Sequence, residues 1–335
     1  MVNMVNSVKL LSCFSPEEIL PLLSQERHVI VIIDSKVKAL YGSLFPYQQI
    51  DFEANEKNKS LDQVGKLTEQ LMNKGADRDT FILAIGGGIT TDIAGFTASV
   101  YFRGIRFAFV PTTLLAQVDA SIGGKNGVNS NGFKNVIGTI NHPEFTVMCS
   151  SFLKTLPKDD FNGGIAEMLK AFIISDRESY FKAIEILKTP QEREDIYPYI
   201  LKAASIKAAI VEKDMYELNE RKLLNLGHTF AHAIEKESGI PHGQAVSAGI
   251  VLAAKLSVKL SLMKKEEAQT IEKDFKTLGL NTESPVPVTS LANAISRDKK
   301  RSGETVTFIL IKEIGKCFKH PIYIAKLEEA LYDLS

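Results

Sequence analysis

The sequence is sparing with the features that would place it in a narrow class at once. Its three cysteines, Cys13, Cys149 and Cys317, lie far apart with no paired spacing. This excludes a disulfide framework or zinc ribbon and fits a reduced compartment. Net charge is also missing: 40 Lys and Arg balance 40 Asp and Glu, so the chain as a whole has no pull toward nucleic acid or an anionic membrane. No window approaches the roughly 20 apolar residues of a membrane helix. The opening "MVNMVNSVKLLSCFSPEE" lacks the apolar core and cationic start of a signal peptide. Internal repeats and low-complexity tracts are absent. The expectation is a cytoplasmic protein with no nucleic-acid or membrane partner. What remains is a chain of 335 residues, enough for two domains, with ordinary globular composition.

The first half alternates apolar runs with helical patterns. Buried strands are expected at 28–36, 80–88, 105–113 and 145–151, with helices at 60–75 and after the glycines at 86–88. Continuous apolar strands separated by helices indicate a parallel sheet covered on both faces. From about residue 160 the pattern turns helical, in 163–174, 197–213, 222–237 and 245–260, with one hairpin at 304–318. The expected division is an α/β nucleotide-binding domain over 1–157 and a mostly α-helical domain over 158–335, meeting near Leu156-Pro157.

Two segments of the first half suggest binding. "AIGGGITTD" sets Gly86, Gly87 and Gly88 between a strand and a helix, where free N–H groups receive phosphates. It is not the G-x-G-x-x-G fingerprint, and a tight turn alone also explains it. Asp92 suits either a local cap or a nucleotide contact. The run "VPTTLLAQVDASIGGKNGVNSNGFKNVIG" (110–138) carries Thr112, Thr113, Asp119, Lys125, Lys134 and Asn135 among five glycines. A polar, glycine-rich connection of this length reads as a loop, binding an anionic, hydroxylated ligand or merely solvated.

The chain has six histidines, and three of them, His228, His232 and His242, fall within "LLNLGHTFAHAIEKESGIPHGQA". His228 and His232 are four apart on an expected helix and could share a metal. The residues between them, Thr-Phe-Ala, lack the zincin glutamate. Glu167 and Glu235 are candidate carboxylates, spacing alone favours the pair His228 and His232, and exposed helix histidines remain the plain alternative.

Taken together, "NEKNKS", "AIGGGITTDIAGF", "YFRGIRFAFVPTTLLAQVDASIGGKNGVN", "KNVIG", "FLKTLP", "GGIAEMLK", "RKLLNLGHTFAHAIE", "HGQAV" and "DKK" resemble the 3-dehydroquinate synthase family, in its order and over most of the chain. The resemblance implies an N-terminal nucleotide-binding α/β domain and a C-terminal α-helical domain, with the active site between them. It implies a homodimer that uses NAD and a zinc or cobalt ion. The implied substrate is a sugar phosphate, 3-deoxy-D-arabino-heptulosonate 7-phosphate. The implied reaction yields 3-dehydroquinate and phosphate by transient oxidation, elimination, re-reduction and aldol closure.

By motif, the implied metal ligands are Glu167, His228 and His242, which moves His232 to proton transfer and substrate. The implied NAD contacts are Glu56, Lys59, Gly86, Gly87, Gly88, Asp92, Thr112, Thr113, Lys125, Lys134, Phe152, Leu153, Lys154 and Thr155. Substrate contacts fall on Arg103, Asp119, Lys125, Asn135, Lys170, Lys207, Arg221, Asn225 and, of the pair Lys299 and Lys300, Lys299. Arg103, Lys125, Asn135 and the C-terminal lysine suit a phosphate, and the planar Arg221 suits a carboxylate.

The chain departs from the family pattern at Lys36, Thr91, Asn126, Ala231 and Gln244. Neighbouring alternatives are a 2-epi-5-epi-valiolone or 2-deoxy-scyllo-inosose synthase and a glycerol-dehydrogenase-like oxidoreductase. Leu224-Asn225 and Asp298-Lys299 favour the dehydroquinate synthase pattern.

Overall fold

The structure is a computed structural model. It describes residues 3–5, 8–189, 192–299, 303–332 and 334, with side chains from residue 8 onward except at 297–299. Lys300 lies outside the described residues. The chain divides into two compact units, Met1–Pro157 with Lys207–Glu212, and Lys158–Ile206 with Lys213–Ser335.

The first unit comprises, in order, β1 (Asn3–Val5), β2 (Val8–Cys13), β3 (Val29–Asp34), α1 (Ser35–Tyr41), β4 (Gln48–Phe52), α2 (Leu61–Asn73), β5 (Phe81–Gly86), α3 (Gly88–Val100), β6 (Phe107–Pro111), β7 (Lys125–Ser130), β8 (Phe133–Ile140) and β9 (Thr146–Cys149). Seven strands form one sheet in the order β1-β2-β9-β6-β5-β3-β4. All pairs are parallel except β1 with β2.

The central strands "VIVIID", "FILAIG" and "FAFVP" are buried along their whole length, because both faces of the sheet are covered. Successive side chains point to opposite faces. Ile30, Ile32, Ile82, Ala84, Phe107 and Phe109 pack with Leu67 and Leu71 of α2 and Ile93 and Ala94 of α3. Val31, Ile33, Leu83, Ile85, Ala108 and Val110 pack on the other face with Ile19, Leu23, Phe145 and Phe152.

The chain order reverses at β3, which pairs with β4 on one side and β5 on the other. Ligands of open parallel sheets bind beyond the strand ends at such a reversal. Here those ends are Asp34 and Gly86. Asp34 caps α1 by accepting the Lys36 and Val37 N–H groups at 2.8 and 3.2 Å.

The run 110–138 is not an open loop. After β6 it forms a π-helical turn at Ala116–Ala120 and then the antiparallel hairpin β7–β8. Gly127 and Gly138 face one another in that ladder, where a Cβ on Gly138 would meet the Asn126 carbonyl oxygen at 2.3 Å. These two glycines of the run therefore serve strand packing rather than loop freedom.

The second unit contains α4 (Lys158–Ser175), α5 (Arg177–Lys188), most of α6 (Tyr197–Lys213), α7 (His228–Ser238), α8 (His242–Lys259), α9 (Lys265–Thr277), α10 (Val288–Lys299), the hairpin of β10 (Thr305–Glu313) and β11 (Lys316–Tyr323), and α11 (Leu327–Leu331). The expected single helix over 222–237 is broken. Residues Glu220–Asn225 form a 3₁₀ turn, Gly227 takes the left-handed φ of 79°, and α7 starts at His228. No described helix is long and apolar enough to cross a membrane.

Candidate functional site

Glycine contacts locate the candidate site residues of the second unit. α4 and α8 touch at Gly163 and Gly243, where a Cβ on Gly243 would lie 2.2 Å from the Gly163 Cα. α7 and α8 touch at Gly227 and Gly249, where a Cβ on Gly249 would lie 2.3 Å from the Gly227 carbonyl oxygen. Backbones this close bring together the residues beside them in sequence: Glu167 one turn along from Gly163, His242 next to Gly243, and His228 next to Gly227.

One donor atom from each of Glu167, His228 and His242 lies within 4.8 Å of the others. Glu167 Oε1 is 3.7 Å from His228 Nε2 and 3.4 Å from His242 Nε2. Donors on a tetrahedral ion with ~2 Å bonds stand about 3.3 Å apart, so small side-chain adjustments suffice to receive one.

The surroundings agree with that use. Glu167 is 2% exposed, and neither carboxylate oxygen meets a described donor with hydrogen-bond geometry, although Lys170 Nζ stands 2.5 Å from Oε2. Each histidine is held at its far nitrogen. His228 Nδ1 is 3.2 Å from the Leu226 carbonyl, and His242 Nδ1 is 3.2 Å from Glu235 Oε2. Such contacts fix the ring and leave Nε2 facing the centre. The donor set, one buried carboxylate and two oriented imidazoles, fits a zinc-type ion.

Electrostatics follow from burial opposed by charge. Burial works to raise the Glu167 carboxyl, but Lys170 and the two histidines hold it well below the usual carboxylate range. Burial, reinforced by Lys170, pushes His228 down to about 3. Burial would lower His242 as well, yet Glu167 and Glu235 overcome it and carry the ring up to about 10.

His232, favoured by spacing as a partner of His228, stands with its ring centroid 5.6 Å away and outside the donor cluster. The metal-like group draws instead on Glu167, some 60 residues upstream, which spacing within the histidine stretch does not reveal.

Arg221, the carboxylate candidate, and Asn225, a hydroxyl candidate, sit on the turn Glu220–Asn225. Asp214 accepts the N–H groups of Leu218, Asn219 and Arg221 at 2.9, 2.6 and 3.0 Å. The Arg221 guanidinium, 3% exposed overall, donates to the Met215 carbonyl at 2.6 Å. Asn225 Nδ2 donates to Glu217 Oε1 at 2.5 Å. Glu217, with φ 59°, does not stand out in the sequence, because its left-handed backbone leaves no signature in the residue type. Lys299 closes α10, where its side chain is not described.

In the first unit Lys59 is the hub. Its Nζ stands 2.5 Å from Asp92 Oδ2 and 2.6 Å from Asn135 Oδ1. Glu56 accepts from Asn129 Nδ2 at 2.7 Å, and Asn129 Oδ1 accepts the Asn135 N–H at 2.9 Å. Burial pushes Asp92 up to about 6 despite Lys59.

Gly87 and Gly88 open α3 without a side-chain cap, leaving the first N–H groups of the helix available to an anion. Thr112 N–H donates to the Gly86 carbonyl at 2.9 Å, and a Cβ on Gly87 would meet Thr113 Cγ2 at 3.0 Å. Phe152 and Thr155 meet Tyr41, through an edge-on ring contact at 4.9 Å and a hydroxyl pair at 3.0 Å. Leu153 is buried beside the exposed Lys154.

The π-helical turn aims both the backbone oxygen and Oδ1 of Asp119 at Lys207 Nζ, at 2.6 and 2.7 Å. π-turns of this kind recur at functional sites. Arg103 and Phe102 carry φ of 67° and 48°, an uncommon pair for side-chain-bearing residues. Lys125 and Lys134 are exposed on the hairpin.

Comparison with known proteins gives a consistent result. Residues 49–163 match the family "3-dehydroquinate synthase N-terminal" and residues 164–301 match "3-dehydroquinate synthase C-terminal". The 3-dehydroquinate synthase of Pyrococcus abyssi (strain GE5 / Orsay) is 38% identical over 320 residues, covering 90% of this chain and 93% of the relative. A 2-deoxy-scyllo-inosose synthase solved with carbaglucose-6-phosphate, NAD+ and Co2+ superposes with a TM-score of 0.86 at 25% identity, over 99% of each chain. The 2-epi-5-epi-valiolone synthase ValA of Streptomyces hygroscopicus subsp. jinggangensis 5008, solved with NAD+ and Zn2+, gives 0.87 at 24% identity, over 100% of this chain and 98% of its own.

Proposed function

Because the chain belongs to the 3-dehydroquinate synthase family, we propose that it converts 3-deoxy-D-arabino-heptulosonate 7-phosphate into 3-dehydroquinate and phosphate. It is a phosphate-eliminating lyase of the shikimate pathway, which leads to the aromatic amino acids. The observation that carries this reading is the cluster of Glu167, His228 and His242 beside Lys170.

A zinc or cobalt ion held there supplies Lewis acidity to substrate oxygens, and NAD supplies a reversible hydride acceptor. The remaining work belongs to the chain's own residues. The open N-terminus of α3 at Gly87 and Gly88 receives the NAD pyrophosphate, after the Gly86 turn. Lys59, Asp92, Glu56, Thr112, Thr113, Lys134 and Phe152–Thr155 hold the rest of the cofactor.

Arg103, Lys125, Asn135 and Lys299 bind the phosphate as a set of separate donors, firmly enough to orient it and loosely enough to release it. Arg221 grips the substrate carboxylate with its planar fork. Lys170, Lys207, Asn225 and Asp119 fix the hydroxyls, and His232 moves a proton. Lys207 and Asp119 hold each other in the meantime, so the pair is ordered before substrate arrives. The protein works in the cytoplasm as a homodimer.

A sister sugar phosphate cyclase is the second reading, favoured by the superpositions. Asn225, anchored by Glu217, and the Asp298-Lys299 pair argue for the heptulosonate phosphate. The test follows phosphate release and NADH absorbance together, in protein loaded with zinc or cobalt and given NAD and the heptulosonate phosphate. Phosphate with 3-dehydroquinate and no net NADH is expected. Net NADH without phosphate refutes the reading in favour of a dehydrogenase, and inertness with this substrate but turnover of another sugar phosphate moves it to a sister cyclase.

A further inference from the structure

We propose that Cys13 and Cys149 are a modification site, at which hydrogen peroxide joins β2 to β9 through a reversible disulfide. The two residues pair directly in the parallel register of these strands. Neighbouring strands lie about 4.8 Å apart, inside the range of roughly 4.4–6.8 Å between Cα atoms that a disulfide spans. In-register residues of parallel neighbours face the same side of the sheet, and both cysteines belong to one apolar cluster. Neither belongs to the metal or nucleotide machinery.

The two thiols are not equivalent. Cys149 takes a hydrogen bond from the Cys13 thiol and stands 3.2 Å from Ser151 Oγ, and these contacts lower it from its ordinary value against the effect of burial. The same bond to Cys149, with burial, pushes Cys13 up. The Ser151 hydroxyl, 3.2 Å from Cys149 Sγ, can donate to a thiolate there, which makes Cys149 the attacking sulfur, since the thiolate is the nucleophile.

Both thiols are buried, Cys13 at 5% and Cys149 at 0% exposure, in the cluster that Ile19 and Leu23 of the 3₁₀ segment Pro16–Leu23 share. Peroxide, scarcely larger than water, reaches them when that surface segment opens locally.

The chemistry balances. The Cys149 thiolate attacks one peroxide oxygen, the O–O bond breaks, and hydroxide leaves behind a sulfenic acid. Cys13 sulfur then attacks the Cys149 sulfur and expels the second oxygen as hydroxide. The two thiol protons convert both hydroxides to water, so two thiols and one peroxide give one disulfide and two waters. A thiol reductant reverses the bridge by exchange.

The test counts thiols in the full-length protein, denatured after peroxide treatment. Untreated protein should show all three cysteines of the sequence as thiols and treated protein one, with Cys13 and Cys149 recovered in one cross-linked peptide and dithiothreitol restoring all three. In Cys13→Ser the reaction should stop at Cys149 sulfenic acid, captured by dimedone. Persistence of three thiols under excess peroxide, or loss confined to Cys317, overturns the proposal. These readouts do not depend on the enzymatic reading.

The bridge also turns the Cys149 thiol that meets Ser151 Oγ at 3.2 Å into a disulfide sulfur that cannot donate, at the head of Ser150–Thr155. If that segment holds NAD as proposed above, the oxidised protein should bind NAD several-fold more weakly, reversibly with dithiothreitol. Unchanged affinity in the bridged protein refutes this link.

Discussion

Substituting Gly243 with alanine tests whether helix contacts set the metal geometry. The added Cβ would sit 2.2 Å from Gly163 Cα, with further backbone atoms at 2.8 Å. Backbone cannot rotate away as a long side chain can, so α4 and α8 must separate by roughly 1 Å to reach an ordinary contact of about 3.5 Å. Overpacking of this kind costs about 1–3 kcal/mol of stability. The same shift carries His242 away from Glu167, whose facing atoms are now 3.4 Å apart. Metal sites tolerate ligand displacements of only about 0.2 Å, so zinc affinity should fall by one to two orders of magnitude.

Two controls make this specific. In Gly163→Ala the new Cβ meets Gly243 Cα at 3.4 Å, an ordinary contact, and in Gly65→Ala it meets nothing within 4 Å. The first should bind zinc nearly as the parent does. The second, within α2, should gain up to about 1 kcal/mol from helix propensity alone. Zinc affinity is read by competition with a chromogenic chelator, and stability by thermal melting. Equal zinc affinity in Gly243→Ala and the parent would falsify the claim that this contact positions His242.

Three further outcomes follow from the same geometry. Glu167→Ala should retain its circular dichroism yet lose zinc binding by at least a hundredfold, and unchanged zinc stoichiometry would place the ion elsewhere. Lys59→Met leaves Asp92, whose side chain is 17% exposed, without its ion-pair partner, a loss of about 2 kcal/mol when the carboxylate is charged. Asp92 is already raised from 3.8 to about 6, and the variant raises it further, so the folded state retains a proton that the unfolded state releases. Stability therefore falls as pH rises through this window, and urea melts should show a larger deficit at pH 8 than at pH 5; equal deficits would refute the argument. Gln117→Leu strips the Pro111 and Cys149 carbonyls of the amide that bonds them at 3.1 and 3.0 Å. That should cost about 3 kcal/mol, seen as a lower melting temperature, and an unchanged melt would mean that other donors replace the amide.

What the sequence discloses follows from which interactions are local. The strands β3, β5 and β6 are legible because burial on both faces leaves an unbroken apolar run. β4, an edge strand with burial only at Ile50 and Phe52, gives a five-residue pattern too short to distinguish from a loop, and β2 lies in a polar-studded terminus. The Gly86–Gly88 turn is legible as a strand-to-helix turn because its signal lies in consecutive residues. The hairpin within 110–138 is not, because its glycines imitate a loop while their purpose, the Gly127–Gly138 approach, is a contact across the ladder.

The histidine stretch shows the same limit more sharply. Helical spacing correctly puts His228 and His232 near one another, and it is still the wrong criterion for shared ligation. Proximity along one helix turns on the 3.6-residue repeat, whereas the donor cluster depends on where three helices touch. The sequence marks those contacts with small residues, Gly163, Gly227, Gly243 and Gly249, of which the first three stand next to or one turn from a side chain of the donor cluster. A glycine beside a charged or imidazole group, at a helix position where its flexibility costs stability, is thus a sign of close backbone approach. Pairing such glycines across helices selects Glu167 and His242 over Glu235 and His232, a choice that spacing within a single helix cannot make.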